Sequence, residues 1–77
     1  MLNFKLHLEK IGTALCIESD DISELLYTYE AGLRNGYLSG KLIDNRTGEI
    51  LAYFHYDIYN GGQDFHHYIS DTLNHLW

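Results

Sequence analysis

The segment Asn60-Gly61-Gly62-Gln63-Asp64-Phe65-His66-His67-Tyr68-Ile69-Ser70-Asp71-Thr72-Leu73-Asn74-His75-Leu76 decides how the chain is built. Asn60-Gly61-Gly62 breaks whatever precedes it, since asparagine and glycine favour turns. From Gln63 to about Leu76, the apolar residues Phe65, Ile69, Leu73 and Leu76 recur at steps of three and four. That spacing is the period of one helix face, so the segment predicts a closing helix. On such a helix Asp64, His67, Asp71 and His75 fall together on a different face.

Working back from this break, two runs read as strands, Tyr37 to Ile43 and Glu49 to Tyr56. Asp44-Asn45-Arg46-Thr47-Gly48 joins them, with the length and glycine placement of a bulged hairpin loop. Leu38 and Leu42 are expected to share a face with Ala52, Phe54 and Tyr56. Gly40 inside the first run signals a bulge or the close approach of another element. Further back lies an N-cap cluster, Ser19-Asp20-Asp21, with Glu24 three residues after Asp21 as in a capping box. Ile22, Leu25, Leu26, Tyr29 and Leu33 then follow the rhythm of a helix, Arg34 suits its last turn, and Asn35-Gly36 ends it. At the start of the chain, Leu2, Phe4, Leu6 and Leu8 alternate strictly with Asn3, Lys5, His7 and Glu9, which predicts a strand with one buried face. A turn at Gly12 leads into a second strand, Thr13 to Ile17, with Leu15 and Ile17 facing the core. The elements run β-β-α-β-β-α. The expected fold is α+β: a four-stranded antiparallel sheet with two helices on one face, in a single domain spanning residues 1–77.

Size and composition bound what this fold can do. A domain of 77 residues has a thin stability margin and usually needs a disulfide, a metal, self-association or an aromatic-rich core. Cys16 is the sole cysteine, so no internal disulfide forms, and it reads as a small buried hydrophobe. Aromatics at 14%, seven of them tyrosines, favour a dense core and exclude disorder. The stretch Met1 to Lys10 carries Lys5, His7 and Glu9 and is not a signal peptide, and no apolar run reaches membrane-spanning length. A cytoplasmic location is therefore expected.

Few residues suggest chemistry. His67, Asp71 and His75 are the candidate metal ligands, because histidine and carboxylate at helical spacing bind divalent ions. The simpler reading is a solvated helix face, and no cofactor is expected. Asp20, Asp21 and Glu24 sit where acids satisfy free helix N–H groups. Asn60-Gly61-Gly62-Gln63 lacks the lysine of a phosphate-binding loop. No serine or cysteine has a nucleophile context, so the chain reads as non-enzymatic.

Charge points to the function. Eleven acids against five Lys and Arg give a net charge of −6. After Arg46 there is no Lys or Arg, while Glu49, Asp57, Asp64 and Asp71 fall there with His55, His66, His67 and His75. Such a surface repels phosphate backbones and attracts basic partners. Tyrosines among acids suit a protein-binding surface. In size, charge and lack of catalytic motifs the chain resembles the small acidic inhibitors carried by phages and mobile elements, such as anti-CRISPR proteins. That resemblance implies an inhibitor that mimics nucleic acid and docks on the basic groove of a nucleic-acid-handling protein. The residues expected at the interface are Asp20, Asp21, Glu24, Tyr27, Asp57, Tyr59 and Asp64. Neither nucleic acid nor membrane is expected as a direct partner. The alternatives are a small metal-binding protein and a structural homodimer, with tyrosines and Trp77 at the subunit interface.

Overall fold

The computed structural model describes residues 2–76. Its elements are β1 (Phe4–Lys10), β2 (Thr13–Ser19), α1 (Ile22–Arg34), β3 (Ser39–Asp44), β4 (Ile50–Tyr59), β5 (Gly62–Ile69) and α2 (Asp71–Leu76). One antiparallel sheet holds all five strands in the order β2-β1-β3-β4-β5.

Alternation in β1 acts as its sequence dictates. Phe4, Leu6 and Leu8 are buried, and Lys5 and His7 turn to the opposite face. Leu6 lies across from Ile17 on one side and Leu42 on the other, and Leu8 across from Leu15 and Gly40. These pairs define the core face of the sheet. Gly40 is a position where packing leaves no room for a side chain, because a Cβ there would press on the Phe54 ring and lie 2.9 Å from Leu8 Cδ2.

Helix α1 covers β1, β2 and β3 on this face. Asp21 caps it in extended conformation, its carboxylate accepting from the Ser23 N–H at 3.0 Å. The second arm of the expected capping box is replaced: Glu24 accepts from the Ser19 hydroxyl at 3.3 Å. Leu25, Leu26 and Tyr29 bury the inner stripe, each contributing about 1.5–3 kcal/mol of apolar burial. The Tyr29 ring meets Phe54 edge-on at 5.4 Å between centroids and stacks on His67 at 6.2 Å.

The expectation of four strands and a long closing helix is corrected here. Gln63 to Ile69 belongs to a fifth strand, and the closing helix begins only at Asp71. Asn60 and Gly61 form a tight turn in which Gly61 takes φ +96°, a conformation suited to glycine. β5 then pairs with β4 through eight consecutive residues, from Tyr59 opposite Gly62 to Ala52 opposite Ile69. Phe65, His67 and Ile69 alternate with Asp64, His66 and Tyr68, so a two-residue period was present beneath the helical one. Ladder formation along β4 decides between them.

Ser70 ends β5 and starts α2. Its N–H donates to the Leu51 carbonyl at 2.8 Å, and its hydroxyl donates to Glu49 at 2.6 Å and accepts from the Thr72 N–H at 3.1 Å. Leu73 joins the same core as α1, so both helices lie on one face of the sheet, as expected. At the β3–β4 end, buried Asp44 accepts from Arg46 Nε and Nη2 at 3.1 and 3.0 Å, which holds its carboxyl below the usual carboxylate range. Cys16 is exposed, contrary to its reading as a buried hydrophobe. It stands on the outer strand β2, opposite His7, on the face that no helix covers. The predicted contributions of the Leu76 side chain and of Trp77 fall outside the described residues. No helix among the described residues is long and apolar enough to cross a membrane.

Candidate protein-interaction face

β4 outruns its neighbour. Its pairing with β3 ends at His55 opposite Ser39, whereas its pairing with β5 continues to Tyr59. Tyr56 still donates its N–H to the Leu38 carbonyl at 2.8 Å, and the residues from Asp57 to Gly62 project past it as the end of a two-stranded hairpin. Both of its faces carry large side chains.

On the helix-free face, successive cross-strand pairs are Tyr53 with Tyr68, His55 with His66, and Asp57 with Asp64, ending at Tyr59. The tyrosine rings stack at 5.6 Å with 25° between planes, and the imidazoles at 6.4 Å with 24°. Asp57 binds both histidines: one carboxylate oxygen lies 2.6 Å from His55 Nε2 and the other 2.9 Å from His66 Nε2. The His55 hydrogen bond foremost, with that of His66 adding to it, holds the Asp57 carboxyl below the usual carboxylate range. Two carboxylates directly opposite one another would repel; the imidazoles answer that repulsion for Asp57. Beside this row the sheet forms a shallow depression of about 440 Å³, lined among others by His7, Glu9, Lys41, Tyr53 and His55.

On the helix side, α1 and α2 do not reach the hairpin's outer part. Ile58 is 63% exposed and Phe65 46%; Ile69, at the hairpin's base beside α1 and α2, is 49% exposed. Tyr56 and Phe65 pack together at 4.7 Å. The hairpin thus combines exposed rings and branched chains with two acids, and no Lys or Arg lies on β4 or β5.

The structure divides the seven residues expected at the interface. Asp57, Tyr59 and Asp64 come together on the hairpin. Asp20, Asp21, Glu24 and Tyr27 do not join them. Ser19 pairs with Phe4 at one end of the ladder, and the hairpin leaves from the other. The first three are also engaged locally: Asp20 accepts from the Asn3 N–H at 2.8 Å, while Asp21 and Glu24 bind Ser23 and Ser19. Tyr27 is exposed on α1, beside Glu30 and Arg34.

The shared helix face proposed for Asp64, His67, Asp71 and His75 does not exist, because the first two lie on β5 and the others on α2. His67 points to the helix side, opposite Phe54, and Asp64 to the other. Among the described residues no three His, Cys, Asp or Glu converge to hold a metal ion. Sequence reasoning missed Tyr53, His55, Phe65, His66, Tyr68 and Ile69 as surface partners of one another. Asn-Gly between two alternating runs is a hairpin signal that marks them.

No family model, curated protein or solved structure matches this chain.

Proposed function

We propose that the chain is a non-enzymatic protein-binding module that docks the helix-free face of its β4–β5 hairpin on a cationic protein surface. The observation that carries this reading is the row Tyr53/Tyr68, His55/His66, Asp57/Asp64: aromatic contact area next to opposed carboxylates, with no cation on either strand. Stacked tyrosines supply rigid contact area at low entropic cost, and the carboxylates select a positive partner. A basic groove of the kind that handles nucleic acid is the partner class that fits, with Asp57 and Asp64 standing where phosphates would. Asp20, Asp21 and Glu24 drop out of this reading, since capping and loop contacts account for them. An inhibitory role follows when the groove so occupied is the partner's working site.

A photo-crosslinking amino acid placed in turn at Tyr53, Tyr59, Tyr68 and Tyr27 tests this in cells. The three hairpin positions are expected to give one common adduct and Tyr27 none, with capture weakening steeply as salt rises. An adduct confined to Tyr27, or capture indifferent to salt, would sink the reading.

A further inference from the structure

β5 is an outer strand, and all eight of its residues are exposed. Every second residue of such a strand turns its N–H and C=O away from its one neighbour, leaving a row of unpaired groups. Proteins guard these edges with lysines, prolines or bulges. β5 has none of them: Gly62–Ile69 holds no Lys, Arg or Pro, and its register with β4 is unbroken over eight pairs. Phe65, Tyr68 and Ile69 are each more than two-fifths exposed along it.

We infer that this edge is a self-association surface, on which a second copy of the chain adds its own β5 antiparallel, about a two-fold axis through Phe65, to continue one sheet across both subunits. The argument for a second copy as the occupant is self-complementarity. Residues directly opposed in antiparallel strands share a face. With Phe65 facing the partner's Phe65, Asp64 faces the partner's His66 and His66 faces the partner's Asp64. The two Asp–His pairs lie on the helix-free face and the phenylalanines meet on the helix side. Gln63 then lies across from the partner's His67. The opposite outer strand, β2, has no equivalent. Centred on Cys16, it would set Glu18 against Ala14 of the partner subunit.

His66 is also faced by Asp57 and His55 from β4, and no helix covers this face. The surface is the edge of β5; it shares Asp64 and His66 with the docking row and leaves Tyr53, Asp57 and Tyr59 open, and self-association of the pure chain tests it separately from partner docking.

Sedimentation equilibrium of the full chain is expected to show a reversible monomer–dimer system. Phe65→Lys should weaken the dimer by about tenfold or more. The register is read with cysteines in a Cys16→Ser background: Phe65→Cys should oxidise to a symmetric disulfide dimer, and Gln63→Cys should not. Should Phe65→Lys fail to fold, the cysteine pair still decides. A wild-type chain that stays monomeric at its solubility limit overturns the inference, as does a disulfide dimer that forms at residue 63 in preference to residue 65.

Discussion

Replacing Tyr29 by phenylalanine should stabilise the protein, against the usual sign for a change in a core. The Tyr29 ring is 3% exposed and packs edge-on to Phe54 and flat on His67. Its hydroxyl is buried with no hydrogen-bond partner, and burial pushes the phenol well above its ordinary range. An unsatisfied buried hydroxyl costs about 1–3 kcal/mol. Phenylalanine keeps both ring contacts and removes only the oxygen, leaving a gap smaller than a methyl group that returns part of the gain. A net gain of about 1 kcal/mol is expected. For a domain of this length that raises Tm by roughly 4–8 °C. Urea unfolding followed by circular dichroism, at one protein concentration and one pH, should move the midpoint up with the slope unchanged. Loss of about 0.5 kcal/mol or more would refute the reasoning, since it would mean the hydroxyl makes a bond that stabilises the fold.

Three further outcomes follow from the packing and the ionic contacts. Gly40→Ala should lower stability by about 1–3 kcal/mol, read as a drop in Tm, because the new methyl meets the Phe54 ring and Leu8 from within a strand. Ser70→Ala removes a helix cap and the partner of Glu49 together; a loss of about 0.5–2 kcal/mol is expected in chemical denaturation. Asp57, whose folded carboxyl is depressed by His55 and His66, contributes stability that is present above the unfolded carboxylate pKa of about 3.9 and is lost as pH falls through the lower folded value. A Tm-versus-pH series should accordingly show a shallower acid limb for Asp57→Asn than for the parent, and identical limbs would remove the assignment.

The sequence carried the first two-thirds of the fold openly. In β1 the alternation Leu2 to Leu8 had no competing period, and in α1 Asp21, Arg34 and Asn35-Gly36 marked both ends. β5 was obscured because Phe65, Ile69 and Leu73 satisfy a helical step and a strand step in their first pair: positions four apart share a face in both geometries. What separates the two is Asn60-Gly61 as a hairpin turn, which brings Gln63 to Ile69 alongside β4 and rewards extension with a ladder of hydrogen bonds. Misreading this one segment also placed His67, Asp71 and His75 on a face that does not form. Cys16 failed for a different reason. Strand order is not written in local pattern, and only the order shows β2 to be an outer strand with one side bare. Among the residues expected at the interface, Asp57, Tyr59 and Asp64 were grouped by charge and aromatic composition, and the hairpin brings these three together despite the error in secondary structure. Asp20, Asp21 and Glu24 were grouped with them because composition does not report that the two sets lie at opposite ends of the sheet.

The order β2-β1-β3-β4-β5 also has a kinetic meaning. Every neighbouring pair of strands but one is joined by a short turn, and these hairpins close on the microsecond scale. The exception is the seam between β1 and β3, which must wait for the chain to cross through α1. Searching for that alignment is the slow entropic step, so the rate of folding is governed where Leu6 meets Leu42 beneath α1. Truncations along that seam should slow refolding, whereas changes near the Asn60–Gly61 turn should act chiefly on how fast the native state comes apart.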